Sequence, residues 1–298
     1  MAEPVTVYPG DRRFAYLALA PSVALVLMLI AVPTVAIFAL AVQDVPLGRY
    51  SGDFVGLANF RRLFADADFY AALGNTFIWI GGSVGLEMLF GTGLALLLNQ
   101  RFPLRWLART ILLAPYLLPT IVAVLVWRYM FDDIVGIVNH IAISAGLVAR
   151  PIQWLTSPRV ALLSVILIGV WKFTPFVVIA ILGILQSIPG EQYDAAKLDG
   201  AGPVRRFVTI TLPHILPVFV LTALLRTIWT AHKFDLIYLL TGGGPINATT
   251  TLPVLVYVRG FHDFDAGGAS AIALVILLLI ALLLVPYLLI HRWSEARQ

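Results

Sequence analysis

The chain of 298 residues contains no cysteine, which excludes disulfide bridges, thiolate metal sites and cysteine nucleophiles. It is also poor in charge. Only 12% of its residues are Asp, Glu, Lys or Arg, against about a quarter in an ordinary soluble domain. Too little polar side chain remains to cover a globule of this length, and disorder, a coiled coil and a disulfide-stapled secreted module are excluded with it. Lysine is scarcest, three residues against seventeen arginines, a bias that GC-rich bacterial genomes produce. There is no GxxxxGK[ST] phosphate loop. His140, His214, His232, His262 and His291 never pair at i, i+4 beside a Glu, as a helical zinc site requires, so no metal site is expected. No serine carries the nearby His and Asp of a nucleophilic triad. Gly242-Gly243-Gly244-Pro245 reads as a tight turn leaving an apolar run, not as a phosphate cradle. Little supports an enzyme.

What is abundant is apolar: 60% of the chain is hydrophobic and the mean hydropathy is +0.93. Six stretches reach the roughly 20 apolar residues that a bilayer-spanning helix needs: 15–42, 75–98, 107–130, 160–186, 214–240 and 268–290. The fold class is therefore an all-α membrane protein of six transmembrane helices, read as a single transmembrane domain over 1–298. The first run follows Arg12 and Arg13 as a signal peptide would. It is too long for one, lacks a small-residue cleavage site and is followed by further spans, so it reads as a retained helix. Pro33, Pro115, Pro119, Pro175, Pro217 and Pro286 fall inside spans, where neighbours must satisfy the freed carbonyls. No solenoid repeat and no matched pair of broken helices is evident.

Charge sets the orientation. With the N-terminus inside, segments 1–14, 99–109, 187–213 and 291–298 are cytoplasmic and hold ten Lys/Arg and six acids. The longer outer segments, taken with Arg128 at the outer end of the third span, hold seven basic residues and eight acids. Basic density is higher inside, as the positive-inside rule requires, and both termini are placed in the cytoplasm. The net charge of +4 is thus a topology signal, and no nucleic-acid partner is expected. Five charges remain within spans: Glu87, Lys172, Arg226, Lys233 and Asp235.

The cytoplasmic stretch 187–213 reads as two short helices around a bend. Pro189-Gly190 breaks the fourth span, and Glu191 suits a helix first turn. Ala195 and Ala196 make a small, flat face. Asp199-Gly200 is a turn signal, with Gly200 free to take positive φ. Phe207 and Ile210, at i and i+3, put two apolar knobs on one face of the second helix, and Leu212-Pro213 ends it. A bland interfacial helix would be basic and apolar too, but would not need this spacing.

Asp194-Ala195-Ala196, Asp199-Gly200-Ala201, Phe207, Ile210 and Leu212-Pro213 resemble the "EAA" loop of ABC-importer permeases, in the maltose-type carbohydrate uptake branch. Asp194 departs from the commoner Glu but keeps the sign of its charge. The likeness extends to Phe54-Val55-Gly56-Leu57-Ala58-Asn59-Phe60 and to 234–241 followed by Gly243-Gly244-Pro245, covering roughly 15–290 and strongest over 171–245. The resemblance implies a type I ABC importer permease (MetI-like) fold in a bacterial inner membrane. It also implies a sugar or sugar derivative as cargo and a coupling loop seated in a separate ATPase. Implied partners are a second permease subunit in a heterodimer, two ATPase subunits carrying ATP and Mg, and an extracytoplasmic sugar-binding protein. No cofactor is implied on this chain itself.

Arg226, Trp229, Thr230 and Lys233 stand at i, i+3, i+4 and i+7, one helix face about 10 Å long. An indole among hydrogen-bonding groups suits a sugar ring, and the resemblance places Trp229, Thr230, Lys233, Phe173 and Phe176 on the substrate path. The competing expectation is structural: Arg226 and Lys233 neutralise Glu87 and Asp235, Lys172 pairs within the bundle, and Trp229 packs between helices. If both Arg226 and Lys233 face the path, an acidic sugar derivative is the expected cargo. Two rivals leave the loop unexplained: an ion-coupled secondary sugar transporter using Glu87 and Asp235, and a receptor or channel.

Overall fold

The structure is a computed structural model that describes residues 9–49 and 51–295, with side chains described except at 9–13, 15 and 286–295. Arg12, Arg13, Arg292 and Arg297 of the orientation argument, and Pro286, therefore lie outside the described side chains. The chain divides into two compact units, residues 1–65 with 258–274, and residues 66–257 with 275–298.

In the first unit, α1 (Pro9–Val26) and α2 (Val32–Ala41) are joined through a π turn, Leu27–Ala31. Pro33 lacks an N–H and its ring would strike the carbonyl four residues back. The wider turn, in which the Val32 N–H reaches the Leu27 carbonyl, absorbs that conflict without breaking the span. A short hairpin follows, β1 (Gln43–Asp44) antiparallel to β2 (Asp53–Phe54), then α3 (Ala58–Phe64). Asn59 holds these together: its amide donates to the Ala41 and Gln43 carbonyls at 2.8 and 2.9 Å, capping the end of α2. The Ala266 N–H closes on the Val45 carbonyl at 2.9 Å, at the start of α14 (Ala266–Glu295).

The second unit is built on α4 (Ala67–Asn99) and α8 (Ala161–Ser187). α8 is apolar on nearly every face, Lys172 apart, and packs on α4 and α5 (Arg105–Leu117), with Val165, Ile168, Val177 and Ile181 fully buried. Helices in lipid approach through small residues, because lipid tails are as apolar as leucine. Gly91 of α4 meets Val177 so closely that a Cβ there would lie 2.6 Å from its side chain, and a Cβ at Gly169 would lie 2.8 Å from the Trp79 ring.

The observed spans differ from the expected ones in three places. α4 begins eight residues before position 75, because Asp66 caps it by accepting the Asp68 N–H at 2.9 Å. The third span is not one helix: α5 stops at Leu117, and α6 (Thr120–Met130) leaves at 99°. Pro115 stays inside α5, but Pro119, read as tolerated inside a continuous span, instead marks a break, with Leu118 and Pro119 extended. The fifth span ends at Ala231 and restarts as α12 (Asp235–Thr241) rather than running through 240. The fourth, 161–187, and the sixth, beginning at 266, lie within two residues of expectation at those ends. The connections expected on the outer side carry α7 (Ile137–Ser144) and α13 (Leu252–Tyr257). The tight turn at 242–245 is present, with Gly242 at φ 64° and Gly243 at φ 91°.

Overpacking a tight helix contact costs about 1–3 kcal/mol. Gly91→Ala is therefore expected to lower the thermal unfolding midpoint in detergent. Gly85→Ala on the same helix, where an added Cβ meets nothing within 4 Å, should leave it unchanged or slightly raised.

Candidate functional site

The loop over 187–213, expected on the cytoplasmic side, begins with α9 (Gly190–Leu198). α9 ends in a Schellman motif: the Ala201 N–H donates to the Ala196 carbonyl at 2.8 Å, and the Gly200 N–H to the Lys197 carbonyl at 3.0 Å. This closure needs a left-handed residue, and Gly200 supplies it at φ 73°. Glu191, Asp194, Ala195 and Asp199 are exposed, while Ala196 and Ala201 are half-buried. The Lys197 ammonium donates to Asp194 at 2.7 Å. That hydrogen bond, with the cation's charge, holds the Asp194 carboxyl below the usual carboxylate range.

The second half of the loop corrects the expectation that Leu212-Pro213 ends a short helix. α10 (Pro203–Arg206), a π turn at Phe207–Thr211 and α11 (Leu212–Ala231) form one helix of 29 residues. As in the first span, a π turn sits two residues before a proline, and the Leu212 N–H reaches back to the Phe207 carbonyl. Phe207 and Ile210 are half-buried, and Leu212 and Pro213 exposed. Tyr193, which sequence reasoning missed, ties the two halves through a 2.9 Å hydrogen bond between its hydroxyl and that of Thr211.

At the far end of the same helix lies a cavity of about 470 Å³. Arg226, Trp229 and Thr230 of α11 line it with Phe173 of α8, Trp79 of α4 and Tyr116 of α5. His232, Lys233, Phe234 and Asp235, at the break after α11, complete it. Phe176 backs the wall through an edge-on contact with Trp229 at 5.0 Å, and Tyr116 packs on Phe176 at 6.1 Å. All six candidate residues are thus brought together. Trp79, Tyr116 and His232 were not anticipated; the position of Tyr116 between Pro115 and Pro119 was the signal available.

The charges are distributed as the structural expectation had them. Arg226 grips Glu87 with two hydrogen bonds, Nε to Oε2 at 2.6 Å and Nη2 to Oε1 at 2.9 Å. Their side chains are 5% and 1% exposed. This fork geometry satisfies both ions away from water. Lys233 pairs with Asp235 at 3.0 Å, and both remain partly open, at 25% and 44%. Arg226 is therefore committed to its carboxylate, and Lys233 is the more accessible of these two cations. Lys172 takes a different course. It is 3% exposed and donates to the Leu118 carbonyl at 2.6 Å and the Pro115 carbonyl at 3.5 Å. Arg226, Lys233 and Lys172 stand 4.6, 5.1 and 5.7 Å from the centroid of the Phe173 ring. The second helix break is clamped likewise: the Trp79 indole N–H donates to the Thr230 carbonyl at 3.0 Å.

A larger cavity, about 700 Å³, is lined by Arg128, Asp132, Asp133, Thr156 and residues of α12. Asp132 accepts the Val135 and Ile134 N–H groups, which hold its carboxyl below the usual range. This cavity contains none of the five intramembrane charges, so the smaller one is the stronger candidate for cargo.

Comparison with known proteins follows the same lines. Residues 87–298 match the family described as "Binding-protein-dependent transport system inner membrane component". The chain is 34% identical over 285 residues to the trehalose/maltose transport system permease protein MalF of Thermococcus litoralis, covering 96% of each chain. It is 35% identical over 287 residues to the sulfoquinovosyl glycerol transport system permease protein SmoG of Agrobacterium fabrum, covering 96% of this chain and 92% of the other. In fold it is similar to a chain of a bacterial ABC transporter involved in the import of the acidic polysaccharide alginate, with a TM-score of 0.80 at 23% identity over 95% of each chain.

Removing one partner of a buried ion pair strands the other charge, at about 3–5 kcal/mol. Arg226→Met is accordingly expected to lower the thermal unfolding midpoint sharply, and Glu87→Leu combined with Arg226→Met to recover most of the loss. A double variant no better than the single one would contradict the pairing.

Proposed function

This chain belongs to the family of binding-protein-dependent transport system inner membrane components, and on that premise we propose that it is one permease subunit of an ATP-driven importer that carries a sugar or sugar derivative into the cytoplasm. It is a multi-pass inner-membrane protein and a transport subunit, not itself catalytic. A sugar cargo is supported by the relatives named for trehalose/maltose and sulfoquinovosyl glycerol. The cavity's own chemistry agrees, since aromatic faces beside an accessible ion pair suit a ring bearing hydroxyls.

One observation carries the mechanism: a single helix, Pro203–Ala231, holds half of the exposed loop at one end and the cavity wall at the other. At 1.5 Å per residue it is about 43 Å long. An internally hydrogen-bonded helix transmits a tilt over that distance, so displacement of the loop moves Trp229 and Thr230. In this reading the loop seats in a separate ATPase through α9 and its Gly200 bend. ATP and Mg, bound on two ATPase subunits, favour one orientation of the loop and hence one side of cavity opening. A second, non-identical permease subunit completes the path, an extracytoplasmic binding protein delivers the sugar, and both termini lie in the cytoplasm.

An ion-coupled mechanism would need a carboxylate free to exchange protons or sodium. Glu87 and Asp235 each hold a cation instead. Uptake is therefore expected to survive collapse of the proton gradient while ATP is supplied.

The test is purification of the tagged chain from its native membrane, wild type beside Gly200→Asp. At φ 73° a side chain with a Cβ strains the bend, and Asp adds an anion where the loop would enter its seat. A soluble ATPase is expected to accompany the wild type, with ATP-dependent sugar uptake reduced at least tenfold in the variant. A wild type that arrives alone and carries sugar in liposomes without ATP would overturn the proposal.

A further inference from the structure

Lys172 joins neither ion pair of the membrane region, Arg226–Glu87 or Lys233–Asp235. It is buried on α8, and its ammonium is spent on two main-chain carbonyls of the third span, Leu118 and Pro115. Those two need a donor for a definite reason. Pro119 has no N–H to offer the Pro115 carbonyl four residues back, and Leu118 follows the last residue of α5. A cation is also the charge that a helix C-terminus favours. One nitrogen with three protons can serve both acceptors, which stand three residues apart and flank Tyr116.

Tyr116 lines the cavity. Beyond the break, α6 packs on α12, the segment that follows the other break at 232–234. The cavity wall on this side therefore exists because span three turns through 99° where it does.

We propose that Lys172 is a positioning residue for transport: it pins the break in the third span and so fixes Tyr116 in the cavity wall, without itself contacting cargo. The functional part rests on the cavity being the sugar site proposed above; the structural part does not. Lys172 is absent from the residues lining the cavity, as a clamp behind the wall should be.

Because the chain has no cysteine, Trp106→Cys and Tyr129→Cys, both exposed positions on α5 and α6, can carry a spin-label pair without further change. The bent span places these sites about 22 Å apart, and a straight helix about 35 Å. A narrow distribution near the shorter distance is expected with Lys172, a broadened or longer one in Lys172→Met, and a partial return in Lys172→Arg. An unchanged distribution in Lys172→Met would overturn the clamp.

Transport is measured with the chain assembled with its partner subunits in proteoliposomes, across a panel of neutral and acidic mono- and oligosaccharides. Lys172→Met is expected to raise KM at least tenfold with the maximal rate within twofold. Pro119→Ala, which restores a helical donor for the Pro115 carbonyl, should raise KM similarly although Lys172 is intact. Wild-type KM in Pro119→Ala would mean that Lys172 acts on cargo directly, and would overturn the positioning role. If Lys172→Met alone fails to fold, Lys172→Met with Pro119→Ala carries the test, with the unfolding midpoint recovered and KM still high. Should the wild type take up no sugar of the panel, the sugar reading falls, and the spin-label distance still decides the clamp.

Discussion

Inside a bilayer, a carbonyl that loses its helical donor has no water to turn to, and the arrangement of this protein follows from how such carbonyls are satisfied. Two prolines, Pro33 and Pro213, are accommodated within their helices by a π turn placed two residues earlier. At Pro119 the helix gives way entirely, and a lysine from α8 supplies the donors. At the second break the Thr230 carbonyl keeps a backbone donor, the Lys233 N–H at 3.2 Å, and gains the Trp79 indole N–H from α4 at 3.0 Å. The two continuous solutions preserve long helices. The two broken ones make the cavity.

The contrast has a mechanical consequence. Because the π turn keeps 203–231 in one piece, the helix that leaves the Gly200 loop arrives at the cavity without a joint. The joints lie at the cavity itself, where α6 and α12 turn away. In the proposed mechanism a displacement entering at the Gly200 bend is delivered to Trp229 and Thr230, and its effect is felt where the backbone can yield. Electrostatics agrees with this division. Arg226 and Glu87, deep against the unbroken part of α11, are closed on each other, whereas Lys233 and Asp235, at the joint, remain partly open. A pair that can exchange partners is thus placed in the cavity proposed for cargo.

Much of this was legible in the residues, where the information is local. Apolar length marks the spans, and the Asp199-Gly200 turn signal matches a left-handed glycine in a Schellman closure. All five charges assigned to spans lie in or beside helices of the membrane region. What could not be read was decided at a distance. The prolines of the third span are equally compatible with a kinked, continuous helix, and the sharp break depends on Lys172, more than fifty residues away in sequence. The same holds for the wall: Tyr116 and His232 join it at the two breaks, and Trp79 joins it from the unbroken α4 through its hydrogen bond to the Thr230 carbonyl. Pro213 misled in the opposite direction, since a proline after a loop motif signals an end unless a π turn precedes it.

The central claim is that the loop and the cavity are two ends of one moving part whose position ATP controls. Trp229→Cys in the cysteine-free chain, assembled with its ATPase and partner subunits in sealed vesicles of known orientation, reports it directly through a membrane-impermeant thiol reagent. Reactivity from the outer side should rise severalfold when ATP hydrolysis is trapped with vanadate, fall when nucleotide is removed, and lose this dependence in Gly200→Asp. Equal reactivity with and without trapped nucleotide in the otherwise wild-type chain would contradict the account.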